Sequence, residues 1–202
     1  WDMPTASRVT DFFIANRDTI LAMDLANDEA NFPSGPFAGV FRRAREAGLR
    51  LTVHAGESLI PTSSQSIRSA LDELGAERIG HGVQIYRDPA LMAEVAERGV
   101  LLELCPSSNV RTRCIESLAK YPINAIRAAG IRVSINADDP GVFDYDLNHE
   151  YRAMADLHGL TAEDFSQINR DACAASFIPE AEKEKYFPAD GTSGGSALSG
   201  EA

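Results

Sequence analysis

Short apolar runs punctuate the chain at residues 20–24 (ILAMD), 51–54 (LTVH), 78–81 (RIGH), 100–105 (VLLELC) and 132–136 (RVSIN). Continuous runs of this length, bounded by turn residues, have the pattern of strands buried on both faces. Between them the apolar positions recur at helical spacing in PFAGVFRRAREAG, SSQSIRSALDELG, DPALMAEVAERG and SLAKYPINAIRAAG. Each of these stretches closes on a glycine (Gly48, Gly75, Gly99, Gly130), the residue that most readily takes the left-handed conformation ending a helix. Strands alternating with helices at this spacing predict right-handed βαβ units and a parallel sheet, because parallel neighbours need a crossover. The fold class is therefore α/β. Three more helical stretches follow the fifth strand: DLNHEYRAMADLHG, TAEDFSQINRDACAASF, in which Thr161 and Asp164 are spaced as a helix start, and PEAEKEKYF.

The polar residues that end the strands narrow the architecture. They are Asp24, His54, His81, Cys105 followed by PSSN, and Asn136 followed by ADDP. A (β/α)8 barrel collects reactive side chains at the C-terminal ends of all its strands, whereas a doubly wound sheet concentrates them at one switch point. The barrel is the favoured prediction, with about five of its strands present.

Composition excludes several classes of function. A chain of 202 residues that is 44% hydrophobic can bury a substantial core, so disorder is not the default reading. Its net charge of −11 argues against a nucleic-acid partner, which would require clustered Lys and Arg against phosphate. Cys105, Cys114 and Cys173 are odd in number and form no Cys-x-x-Cys pair, so they suggest neither a disulfide framework nor a thiolate zinc site. A reducing, cytoplasmic setting fits them. No apolar stretch approaches the roughly 20 residues of a membrane span, and no basic-then-apolar leader pattern is seen. The start at Trp1, without methionine, raises the expectation that an upstream segment is absent.

The barrel arrangement would gather His54, Glu57, His81, Asp138 and Asp139 at one mouth. Imidazole and carboxylate ligands suit a catalytic zinc. Taken singly, His54 also reads as a satisfied core histidine, and ADDP as a turn with two capping aspartates. Jointly, the bland reading needs five unrelated placements at the ends of three strands. Ala55 and Gly56 would let the backbone turn so that Glu57 projects over the cavity, where shielding from water favours the protonated form a general acid needs. His81, flanked by Gly80 and Gly82, is expected to have little steric cover. Asp138 and Asp139, being adjacent, would point apart and divide their work between metal and substrate.

LTVHAGES, RIGHG, LELCPSSN and VSINADDP, in this order and at these separations, closely resemble the adenosine deaminase family of zinc-dependent aminohydrolases, and DLANDE at residues 24–29 resembles a further family segment. The resemblance runs from about Arg17 to Phe187. It implies that His54 and Asp138 are zinc ligands, one zinc serving each complete site. It implies that Glu57 protonates the purine ring, that His81 orients and helps deprotonate the water, and that Asp139 and the backbone at Asn27 contact the purine. The implied reaction is hydrolytic deamination of adenosine or deoxyadenosine to inosine or deoxyinosine plus ammonia, by a zinc-bound hydroxide, in purine salvage. The His-x-Glu and Pro-Cys-x-x-Cys signature of cytidine-type deaminases is absent.

Two departures from the family pattern stand out. Asn27 occupies a family glycine position, which would narrow the pocket while tolerating unusual backbone angles. The family's His-x-His pair, which supplies two further zinc ligands, is not among His54, His81, His149 and His158, and the last two read as exposed helix positions. The resemblance therefore implies the last five βα units of a barrel. Residues 1–188 would be a partial catalytic domain, 189–202 a Gly/Ser-rich disordered tail, and the N-terminal barrel segment is expected in the same or a second chain. A sister activity on adenine or another aminated purine nucleoside is the alternative. Gly80 favours the nucleoside, since adenine-specific relatives often carry an acid there. A non-catalytic barrel remnant acting as a binding or assembly module is the reading from another class.

Overall fold

In the computed structural model, residues 2–26 and 28–186 are described. Asn27 and the Gly/Ser-rich tail from Ala189 lie outside the described residues. The chain opens with helix α1 (Met3–Ala15) and continues as β1 (Ala22–Leu25), α2 (Ala38–Glu46), β2 (Arg50–Ala55), α3 (Ser63–Asp72), β3 (Arg78–His81), α4 (Pro89–Glu97), β4 (Leu101–Leu104), α5 (Pro106–Arg111), α6 (Ile123–Ala128) and β5 (Arg132–Ile135). Helices α7 (Pro140–Phe143), α8 (Leu147–His158), α9 (Ala162–Ala175) and α10 (Glu180–Tyr186) follow. The strands form one parallel sheet in chain order, β1-β2-β3-β4-β5. An order without reversal has no switch point, and it is how a barrel wall is wound, each strand added on the same side of the last.

Alternation along the strands sorts the side chains onto two faces. The register sets Val53 beside Ile79, Ile79 beside Leu102 and Leu102 beside Val133. These residues are fully or almost fully buried under the helices, against Phe41, Ile67, Val95 and Ile126. Each such side chain contributes about 1.5–3 kcal/mol of burial. The opposite face carries Thr52 and His54, Arg78 and Gly80, Glu103, and Ser134. At its N-terminal end Arg78 pairs with Glu103 at 2.8 Å, donates to Ala175 O and lies 3.7 Å over the Phe177 ring, which ties the segment after α9 to the sheet.

All four helix-ending glycines adopt positive φ, between 64° and 93°. Two stretches differ from expectation. SLAKYPINAIRAAG is not one helix: a 3-10 turn at Leu118–Lys120 stops at Tyr121, which is extended (φ −65, ψ 130), before α6 begins. Pro122 is the cause, because its ring disfavours the helical region for the residue before it. PSSN, for which no helix was predicted, forms the first turn of α5, with Pro106 at the position where a missing N–H costs nothing. Helix α1 was not anticipated, although Asp2 caps it and Pro4 sits in its first turn.

Candidate active site

A cavity of 430 Å³ opens where β2 to β5 end, lined among others by His54, Gly80, His81, Glu103, Cys105, Asn136 and Asp138. His54 projects from β2, and its Nδ1 lies 2.9 Å from Oδ2 of Asp24 on β1. Gly80 makes room for that ring, since a Cβ there would stand 2.8 Å from His54 Nδ1. Burial pulls the His54 pKa down, but the hydrogen bond and charge of Asp24 outweigh it and leave it raised. A carboxylate holding one ring nitrogen turns the other toward the cavity, the arrangement in which histidines bind metals.

Glu57 follows a turn that only glycine fits. Gly56 has φ 66, and a Cβ on it would lie 2.4 Å from Ile67 Cδ1. The turn is clamped by Glu29, whose carboxylate accepts from Gly56 N–H at 2.8 Å, Ser58 N–H at 2.5 Å and the Ser66 hydroxyl at 2.5 Å. Glu57 Oε1 accepts from the Thr112 hydroxyl at 3.3 Å and from Asn109 Nδ2 at 3.5 Å, while Oε2 lies 3.5 Å from His81 Nε2. Burial first, then the Asp138 charge, push the Glu57 pKa up.

His81 and Asp138 both sit at left-handed backbone angles, φ 60 and 57, which cost a non-glycine residue on the order of 1–2 kcal/mol. Such strain at two strand ends facing one cavity marks a functional site. His81 Nε2 lies 3.9 Å from Asp138 Oδ2, and its Nδ1 lies 3.1 Å from Asn109 Nδ2. The expectation that His81 has little steric cover is wrong: it is 2% exposed, because Asn109 fills the space beside its ring and His54 stands edge-on 5.1 Å away. Burial, then the His54 charge, depress its pKa to about 4.

Of the residues singled out in the sequence, His54, Glu57, His81 and Asp138 converge. Asp139 is exposed at the start of α7 and is not part of the cavity lining. His149 is exposed, as expected, whereas His158 is half-buried, its Nε2 2.7 Å from Leu118 O. Asp24, Glu29, Asn109 and Thr112 had no assigned role. Asp24 ended a predicted strand and Asn109 closed CPSSN, which were the available signals.

The donor set fits zinc: imidazole nitrogen, carboxylate oxygen and, in addition, a thiol. Ligand atoms of His81, Cys105 and Asp138 lie within 4.8 Å of one another, and His54 lines the same cavity. Cys105 is the weaker donor, since burial and then Asp138 hold its thiol well above the usual range.

The chain resembles curated bacterial adenosine deaminases. It is 46% identical to that of Serratia proteamaculans over 171 residues, covering 85% of this chain and 51% of that protein. It is 43% identical to that of Erwinia tasmaniensis over 176 residues, covering 87% and 52%. The chain thus spans about half the length of the curated relatives it matches. Among solved structures, adenine deaminase from Arthrobacter aurescens superposes with a TM-score of 0.83 at 32% identity, over 90% of this chain and 55% of that one. An amidohydrolase from Burkholderia ambifaria, solved with bound zinc, gives 0.84 at 26%, over 94% and 52%. These neighbours identify the five-stranded sheet as part of an amidohydrolase-type TIM barrel. The family model for adenosine deaminase matches residues 3–188, and with that match over nearly its whole length the chain belongs to the adenosine deaminase family.

Proposed function

We propose that the complete protein removes the amino group of a purine nucleoside by hydrolysis, with adenosine or deoxyadenosine as the foremost substrate and ammonia as the leaving group. The observation that carries this reading is the convergence of Glu57, His81 and Asp138 around one point, with His81 Nε2 3.5 Å from Glu57 and 3.9 Å from Asp138. His54 and Asp138 are the zinc ligands of this proposal, because His54 alone of the two histidines has a carboxylate behind it. Zinc, when bound, would make water nucleophilic near neutral pH by lowering its pKa from roughly 15.7 to about 7.

Glu57 is the proton donor. Burial, then the Asp138 charge, raise its pKa and so favour the acid form, and its Oε1 is held by Thr112 and Asn109. Protonating a ring nitrogen beside the amine-bearing carbon makes that carbon more electrophilic. His81, beside Glu57, fixes the attacking oxygen. Asp139 and the backbone at Asn27 complete the proposal as purine contacts. A cytoplasmic place in purine salvage belongs to the same proposal; the three free cysteines fit a reducing compartment. Among the described residues, no helix is long and apolar enough to cross a membrane.

Ammonia release by the full-length protein across adenosine, deoxyadenosine, adenine and other aminated purines tests the reading. Turnover highest on the nucleosides supports it. Turnover highest on adenine would move the substrate to the free base, and none on any purine, with zinc absent, would favour a binding module.

A further inference from the structure

Behind the cavity runs a short buried hydrogen-bond chain. Tyr121 is 2% exposed, and its hydroxyl lies 3.0 Å from Oδ1 of Asn109. Asn109 is fully buried, and its Nδ2 lies 3.1 Å from Nδ1 of His81. The donor and acceptor inventory fixes the direction. A buried tyrosine hydroxyl needs an acceptor for its one proton, and among the described residues Asn109 Oδ1 is that acceptor. Turning the Asn109 amide over would set its NH2 against the hydroxyl and leave the hydroxyl proton unmatched. With Oδ1 toward Tyr121, Nδ2 donates to His81 Nδ1, and a nitrogen accepting that bond carries no proton.

The far side of the ring accommodates that proton: Nε2 faces Glu57 Oε2 at 3.5 Å and Asp138 Oδ2 at 3.9 Å.

We infer that Asn109, itself anchored by Tyr121, is a positioning residue that holds His81 in the tautomer with its proton on Nε2, so that His81 acts as a hydrogen-bond donor in the cavity and not as the base that deprotonates water. The assignment of a catalytic job to His81 rests on the deaminase reading above; the tautomer does not.

The test uses full-length protein labelled with 15N in its histidines, because each ring nitrogen reports directly whether it carries a proton. Resonances of His81 are assigned by their loss in His81→Gln. At neutral pH the wild type is expected to show a protonated Nε2 and a bare Nδ1. Asn109→Asp offers Nδ1 only acceptors, so it should move the proton to Nδ1 and lower kcat by about 10²-fold, the usual cost of losing one donor to a developing charge, with KM changed far less. Tyr121→Phe should show both tautomers and a smaller loss. A wild-type proton on Nδ1 overturns the inference. So does an Asn109→Asp variant that turns over as fast as wild type or faster, because a carboxylate behind Nδ1 is what supports a histidine base. If that variant fails to fold, the wild-type spectrum decides alone. If the wild type deaminates no purine, the functional reading fails while the spectrum still decides the tautomer.

Discussion

Glu29 lies in the turn after β1, away from the reacting point, yet its carboxylate collects the Gly56 and Ser58 N–H groups on either side of Glu57 and the Ser66 hydroxyl. Glu29→Gln replaces one acceptor oxygen by an NH2 that meets a donor, so the turn must shift. Misplacing a reacting group by an ångström costs on the order of 10²-fold, and a partial shift should lower kcat by about 10-fold or more with zinc content unchanged. Steady-state kinetics and metal analysis on the full-length protein check this, and an unaltered kcat would remove Glu29 from the support of Glu57. Glu57→Gln should itself keep zinc and fold while losing at least ~10²-fold in kcat, the lower end for general acid catalysis. Near-normal turnover would assign the proton to another group. His54, His81 and Asp138 were legible in the sequence because each stands at or just past the end of a predicted strand, and Glu57 because a glycine turn follows one. Their supports were not. Asp24 meets His54 across 30 residues, Glu29 meets Gly56 across 27, and Asn109 meets His81 across 28, and nothing local marks such pairs before strand register brings them together.

Strands and helices were more legible than side-chain partners, because periodicity and helix-ending glycines are local signals. The exceptions are local too: Pro122 split one predicted helix and Pro106 started an unpredicted one. The start of α9 shows a sequence signal carrying through to electrostatics. Thr161 and Asp164 form a complete capping box, and Arg127 at the end of α6 reaches Asp164 Oδ1 at 2.6 Å. The Thr161 backbone N–H, followed by Arg127 and the Thr161 hydroxyl, holds the Asp164 carboxyl well below the usual carboxylate range. A carboxyl whose pKa is lower in the folded than in the unfolded state stabilises the fold at pH values above its unfolded pKa of about 3.9 and ceases to do so as the pH falls toward the folded value. The gap in Tm between wild type and Asp164→Asn should therefore be present at neutral pH and close as the pH drops below about 4. A gap that stays constant into acid would mean that capping geometry alone, without the carboxylate charge, supports this helix.

At the scale of the molecule, the sheet has two free margins among the described residues, since β1 pairs with β2 alone and β5 with β4 alone. Beside β1 lies an apolar groove of 360 Å³ bounded by Phe13, Met23, Leu25, Phe37 and Val40. Exposed strand edges next to apolar surface recruit further chain, from the same protein or from another copy. The candidate metal centre is short in the same sense: His54 and Asp138 make two ligands, where a catalytic zinc normally has at least three from protein. Both shortfalls agree with a chain spanning about half the length of its curated relatives. The 202 residues prepared as they stand should therefore self-associate, bind well under one zinc per chain and release no ammonia from adenosine. A longer chain, or a second piece that supplies further strands and ligands, should restore metal and turnover together. Sedimentation, metal analysis and an ammonia assay on the two preparations decide it. A monomeric 202-residue chain with stoichiometric zinc and adenosine turnover would show that the third ligand comes from within it, and Cys105, already within 4.8 Å of the His81 and Asp138 ligand atoms, is the first residue to replace.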